Sequence, residues 1–93
     1  MSSKYMLKNQ MEDCVWELLD QVLAQYPEVC KCENCRYDIV ALTLNRLPPR
    51  YTVRVKGEIY AKLAMLEAQH RADIYQALTQ AILIVKQHPR HER

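Results

Sequence analysis

Phenylalanine is absent from this 93-residue chain, and glycine and tryptophan occur once each. Without Phe, the apolar mass consists of Leu, Ile, Val, Ala and Met, supplemented by six Tyr, a mixture suited to packing helices against one another. One Gly and four Pro leave little material for tight turns and favour long helices. The opening "MSSKYMLKNQ" has no apolar segment of the kind a secretory signal needs. The longest strongly apolar run, "AILIV" at Ala81–Val85, is far too short to span a bilayer. Charge is nearly balanced too: a net +2 and a pI near 8.4 fall short of the basic footprint of a dedicated nucleic-acid binder. The expectation is a cytoplasmic protein in a reducing compartment, where structural disulfides are not favoured.

The length allows one domain, residues 1–93, with flexible ends expected at 1–8 and 88–93. So short a chain buries only roughly 60–65% of its unfolded surface. Its core is marginal without a metal, a disulfide or a partner subunit.

Apolar spacing predicts an all-α domain of about four helices, with a cysteine-rich loop and at most one short strand. Met11, Val15, Leu18, Leu19, Val22 and Tyr26 form one stripe, with Cys14 on its flank, predicting a helix from Asn9 to Tyr26. Asn9 is a good N-cap and Glu12 stands where a capping-box carboxylate belongs; Pro27 ends the helix. A second helix is expected over 35–46. Its apolar residues nearly encircle it, which implies burial in the domain or in a subunit interface. "RYTVRV", Arg50–Val55, alternates with period two and reads as a short extended segment. After Gly57, Ile59, Leu63 and Leu66 form one helical pattern and Ile74, Leu78, Ile82 and Val85 another. They drift out of phase across Ala68–Asp73, which favours a break or kink there, with one long helix as the alternative.

The stretch "EVCKCENCRYD" carries Cys30, Cys32 and Cys35 in a chain with only one other cysteine, Cys14. A tetrahedral zinc site needs four soft ligands, and Cys32–Cys35 is a C-x-x-C pair with Cys30 as a third thiolate from the same loop. The fourth is open among Cys14, Asp38, a histidine (His70, His88 or His91), a partner chain and water. A C-x-x-C at a helix start also suits redox chemistry, but the βαβ context of a thioredoxin-like site is missing. Four cysteines in a characteristic iron–sulfur spacing are not present. Cys14 has the plain alternative of being a small core residue. Zinc is the favoured reading, in a structural role, because no H-E-x-x-H, no H-x-E with C-x-x-C and no nucleophile–base–orienter set accompanies the thiols. An enzyme is not expected.

"CKCENC", followed by "DIVALTLNRLPPRYTVRVKGEIY" and flanked by "LKNQMEDCVWELLDQVL" and "ADIYQALTQAILIVKQHPRH", resembles the ComFB family, the late competence development proteins. The resemblance covers nearly the whole chain, and L-N-x-L-P-P-x-Y is its most specific part. It implies a small, mostly helical, dimeric protein with zinc on Cys30, Cys32 and Cys35. It also implies a ligand, cyclic di-GMP.

Such a ligand presents phosphates to Arg, Lys or helix N-termini. It presents guanine edges to Arg forks and carboxylates, and guanine faces to aromatics. Two stretches supply those groups: Lys8, Asn9 and Glu12 at the first helix start, and Arg50, Tyr51, Arg54, Lys56 and Tyr60 around the link that follows the second helix. Each has a plainer role, Asn9 and Glu12 as a capping box, Tyr51 as half core, Arg54 and Lys56 as solvated charges. The resulting expectation is a non-enzymatic signalling protein, a homodimeric cyclic di-GMP receptor with a structural zinc. A zinc-stabilised adaptor for a protein partner, without a nucleotide, is the rival. Nucleic acid is not favoured because the basic residues are scattered.

Overall fold

Asn9 is the residue at which a strand becomes a helix. The computed structural model describes residues 4–55 and 68–87. In chain order these form strand β1 (Tyr5–Asn9), helix α1 (Gln10–Leu23), helix α2 (Glu33–Arg46), strand β2 (Tyr51–Val55) and helix α3 (Ala68–Gln87). Asn9 has extended backbone, and its Oδ1 accepts the Met11 N–H at 3.1 Å, satisfying one of the orphan donors at the start of α1. The cap is as expected, but the Glu12 carboxylate lies 3.8 Å from Lys8 Nζ, a neighbour across the strand–helix junction.

The α1 stripe is buried as its spacing implies: Met11, Val15, Leu18, Leu19 and Val22 all face the core, joined by Cys14 and Leu23. Helix α3 lays Ile74, Leu78, Ile82 and Val85 against it, with Ala77 and Ala81 allowing close approach. Helix α2 contributes Cys35, Ile39, Val40 and Thr43. Thr43 is the buried polar residue, and its Oγ1 donates to the Ile39 carbonyl at 2.7 Å, so the hydroxyl is satisfied within its own helix. Trp16 and Tyr37 close the α1–α2 seam edge to face, their ring centroids 5.0 Å apart.

Several boundaries differ from the sequence expectation. Among the described residues there are three helices rather than about four. The predicted helix carrying Ile59, Leu63 and Leu66 lies outside the described residues. So do Gly57 and the carboxy-terminal residues 88–93. Helix α1 stops at Leu23, and the chain closes through 3₁₀-type bonds, Gln25 N–H to Val22 O and Tyr26 N–H to Leu23 O, ahead of Pro27. Tyr26 therefore packs from the turn.

Helix α3 runs unbroken through Ala68–Asp73, where a kink was expected. "AQHRAD" contains no Pro or Gly, so the backbone has no reason to break where the apolar phase shifts.

The short strand is not isolated. β1 and β2 pair antiparallel in the register Tyr5↔Val55, Leu7↔Val53 and Asn9↔Tyr51. Residues 5–8, expected to be part of a flexible end, are this partner strand, because a single extended segment cannot satisfy its own backbone donors and acceptors. Nor does α2 bury itself all round: Tyr37 and Ala41 are exposed, and Leu42, Leu44 and Leu47 are half-buried. The exposed apolar surface is concentrated on the ribbon. Leu7 is 71% exposed, Val53 66% and Tyr51 62%.

Candidate metal centre

The loop after α1 is drawn into a fixed shape by contacts that do not involve the thiols. Lys31 Nζ reaches back to the Tyr26 and Val29 carbonyls at 3.3 and 3.4 Å, and the Val29 N–H donates to Tyr26 O at 3.1 Å. Val29 is buried and anchors the loop to the core. Glu28, one residue earlier, binds Lys86 of α3 through Oε2 at 2.8 Å. The hydrogen bond from Lys86 holds the Glu28 carboxyl below its ordinary pKa. Arg36 Nη1 ties the first turn of α2 to Asp20 of α1 at 2.7 Å.

These constraints bring the Sγ atoms of Cys30, Cys32 and Cys35 within 4.8 Å of one another. This is the only group of three potential metal-binding side chains among the described residues. Thiolates on a tetrahedral zinc, at about 2.3 Å from the ion, stand about 3.8 Å apart. The observed spacings thus exceed those of a closed site by at most about an ångström, within reach of small side-chain rotations. Cys30 and Cys32 are exposed, while Cys35 is buried. Burial, reinforced by hydrogen bonds to Cys32 and Cys30 and by their charge, pushes the Cys35 thiol up to about 12. A buried thiol that resists ionisation is what a divalent cation relieves, by replacing its proton with positive charge.

Cys32 has a second position of consequence, as the N-cap of α2. Its backbone is extended, the Arg36 N–H donates to its carbonyl at 2.9 Å, and its side chain makes no capping bond. Cysteine is a poor cap compared with Ser, Thr, Asp or Asn. Helix formation alone does not account for Cys32 at this position, and its thiol stands in the close group with those of Cys30 and Cys35. The residues present fit a soft or borderline divalent ion: Cys30, Cys32 and Cys35 would hold it, and it would staple the loop to the start of α2.

Cys14 stands apart. It lies nine residues before the end of α1, about 14 Å along the helix axis from the end that leads into the loop. It is buried in the core, and burial, followed by the charge of Asp13, raises its thiol pKa while Arg50 opposes that shift. His70 also belongs to that far end: Arg50 Nη1 is 3.0 Å from both its ring nitrogens. Asp38, on α2, is not part of the thiol group.

The two stretches of ligand candidates, more than forty residues apart, meet on the ribbon. Asn9 and Tyr51 are cross-strand partners, as are Lys8 and Thr52. Asn9 Oδ1 accepts the Arg50 N–H at 2.8 Å, and the Gln10 N–H donates to Arg50 O at 2.7 Å. Lys8 Nζ lies between Glu12, at 3.8 Å, and Asp13, at 3.5 Å. Tyr51, expected to be half core, is largely exposed, because the ribbon stands off the helices. Arg54 is opposite Met6, and Lys56 and Tyr60 lie outside the described residues. A further groove of about 310 Å³, where α2 ends against α3, is lined by Arg46 and Asp73 among others. Sequence reading passed over this pair because only tertiary packing brings residue 73 beside residue 46.

A family model described as "Late competence development protein ComFB" matches residues 8–89. The chain belongs to the ComFB family. Among curated ComFB proteins, the "Competence protein ComFB" of Bacillus subtilis (strain 168) is 31% identical over 84 residues, covering 90% of this chain and 86% of the relative. A solved structure of the late competence protein ComFB from Bacillus subtilis superposes with a TM-score of 0.79 at 30% identity. It covers 92% of this chain and 97% of that one. No helix among the described residues is long and apolar enough to cross a membrane.

Proposed function

We propose that this ComFB protein is a non-enzymatic signalling component, a homodimeric receptor for cyclic di-GMP stabilised by a structural zinc on Cys30, Cys32 and Cys35. One observation carries the receptor reading: strand pairing gathers Lys8, Asn9, Glu12, Arg50 and Tyr51 onto one edge of the molecule. That edge offers the ligand what it requires. Lys8 and Arg50 supply cationic donors, Glu12 a carboxylate for a guanine edge, and exposed Tyr51 a face for stacking. A two-fold dimer would present two copies to a ligand that is itself two-fold symmetric.

A calorimetric titration of cyclic di-GMP into zinc-loaded protein, with GTP and cyclic di-AMP as controls, tests it. Saturable and selective heat supports the receptor, and a flat titration removes it. The adaptor reading rests on a different observation, the apolar face of Tyr5, Leu7, Tyr51, Val53 and Val55 exposed on the ribbon. A contiguous face of this kind marks a protein contact more often than a solvated surface. Only the receptor gains thermal stability from added dinucleotide.

A further inference from the structure

Thiols close enough to share an ion are also close enough to be joined to each other. The Sγ atoms of Cys30, Cys32 and Cys35 lie within 4.8 Å of one another, and all are free. They differ in access: Cys30 and Cys32 are exposed, whereas Cys35 is fully buried. An exposed thiol beside a second one is the arrangement in which an oxidant meets the first sulfur and the second resolves the product. Cys14, buried on α1, stands outside this group.

The backbone selects the pair. Cys32 is the N-cap of α2, and the Arg36 N–H donates to its carbonyl at 2.9 Å, so the first helical turn already encloses Cys32 and Cys35. Across such a turn, Cα atoms three residues apart are about 5 Å apart. A disulfide accepts about 4.4–6.8 Å, so bond formation needs side-chain rotation and no movement of the helix. Cys30 lies before the helix, and no helical turn fixes its distance from Cys35.

We propose that the cluster is an oxidative modification site, at which a hydroperoxide oxidises Cys32 and Cys35 closes a reversible Cys32–Cys35 disulfide. The Cys32 sulfur attacks a peroxide oxygen. An S–O bond forms as the O–O bond breaks, two electrons pass from sulfur to oxygen, and the departing oxygen leaves as an alcohol or water with the thiol proton. The Cys35 sulfur then attacks the Cys32 sulfenic acid. An S–S bond replaces the S–O bond, and the hydroxyl leaves as water with the Cys35 proton. Two thiols and one hydroperoxide thus give one disulfide, one water and one alcohol, or two waters from hydrogen peroxide. In a reducing compartment such a bond is transient, the form that disulfides reporting oxidation take there. The bond also removes two of the three metal donors, so oxidation and metal occupancy exclude each other. That consequence alone rests on the metal reading.

The test is thiol counting on the full chain, freed of metal, treated with hydrogen peroxide, then denatured, alkylated and mapped by peptide mass. The count is expected to fall from four to two, with Cys14 and Cys30 still alkylated. Dithiothreitol is expected to restore all four. Cys30→Ser is expected to form the bond still, and Cys32→Ser to form none. Both positions are exposed, so folding does not confound these variants. A wild-type count that stays at four would overturn the proposal. So would a bond that joins Cys30, Cys14 or a second chain, or one that forms in Cys32→Ser. Prior loading with zinc is expected to protect the pair. Oxidation at an unchanged rate in the presence of zinc would remove the metal reading and leave the disulfide standing.

Discussion

Asn9 Oδ1 accepts two backbone donors at once, the N–H of Met11 at 3.1 Å and the N–H of Arg50 at 2.8 Å. One amide oxygen thereby starts α1 and fixes where β2 begins, forty-one residues away in sequence. The ribbon and the helical core are joined at this point, and the Gln10 N–H to Arg50 carbonyl bond at 2.7 Å completes the joint.

Replacing that oxygen is expected to affect both elements. Asn9→Ala removes the cap and the tie, and a loss of about 1–2 kcal/mol is expected in denaturant unfolding. Asn9→Asp retains the acceptor and is expected to remain within about 0.5 kcal/mol of wild type. Equal losses in the two variants would show that the side-chain oxygen is not what matters.

Cys32 combines a metal-ligand position with a cap position, and serine separates the two. Ser is a strong N-cap but a poor zinc ligand. Cys32→Ser is therefore expected to reduce zinc content from near one per chain to a small residue by elemental analysis. The metal-free protein should meanwhile hold its helicity by circular dichroism. Unchanged metal content in the variant would rule out the site.

The pH dependence of metal uptake follows from Cys35, whose thiol lies at about 12 in the metal-free fold. At neutral pH that thiol is protonated, so binding must expel the proton, and apparent affinity is expected to rise with pH and fall on acidification. In the metal-free protein the sign for stability is opposite. The folded state holds this proton more tightly than the unfolded chain, so stability is full below the unfolded thiol pKa of 9.0 and declines as pH rises from there toward 12. Competition titrations at pH 6, 7 and 8 would detect the first trend, and alkaline unfolding of metal-free protein the second.

Leu19 is fully buried between the helices, and this core is small. Leu19→Ala is expected to cost about 3 kcal/mol, within the usual 2–5 kcal/mol for such truncations. With total stabilities of about 5–15 kcal/mol typical of domains, that is a large share, and thermal unfolding would register it as a drop of many degrees.

The ribbon face gives a prediction of the opposite kind. Val53 is 66% exposed in the single chain, so Val53→Lys is expected to change monomer stability by less than about 0.5 kcal/mol. If the face is the homodimer contact, the same change is expected to turn a sedimenting dimer into a monomer at micromolar concentration. A Val53→Lys protein that sediments like wild type would assign dimerisation to another surface.

Much of this was legible in the residues alone, for a physical reason. Helical periodicity and caps are local: Met11, Val15, Leu18, Leu19 and Val22 repeat at steps of three and four whatever else the chain does, and the stripe is buried as it reads. Asn9, Pro27 and the close spacing of Cys30, Cys32 and Cys35 are likewise properties of short windows. Pairing is not local. Nothing in "YMLKN" announces a strand until "YTVRV" is laid beside it, and the exposure of Tyr51 is a consequence of that ribbon standing clear of the helices. Distance is not local either. Cys14 has the right chemistry for a fourth ligand, yet the close group of thiols among the described residues holds only Cys30, Cys32 and Cys35, while Lys86 is brought to Glu28 from fifty-eight residues away. The sequence alone determined the apolar stripes of α1 and α3, the Asn9 cap and the donor chemistry. Which donors meet was decided by tertiary packing, because contact depends on how separate elements stack and not on what any one window contains.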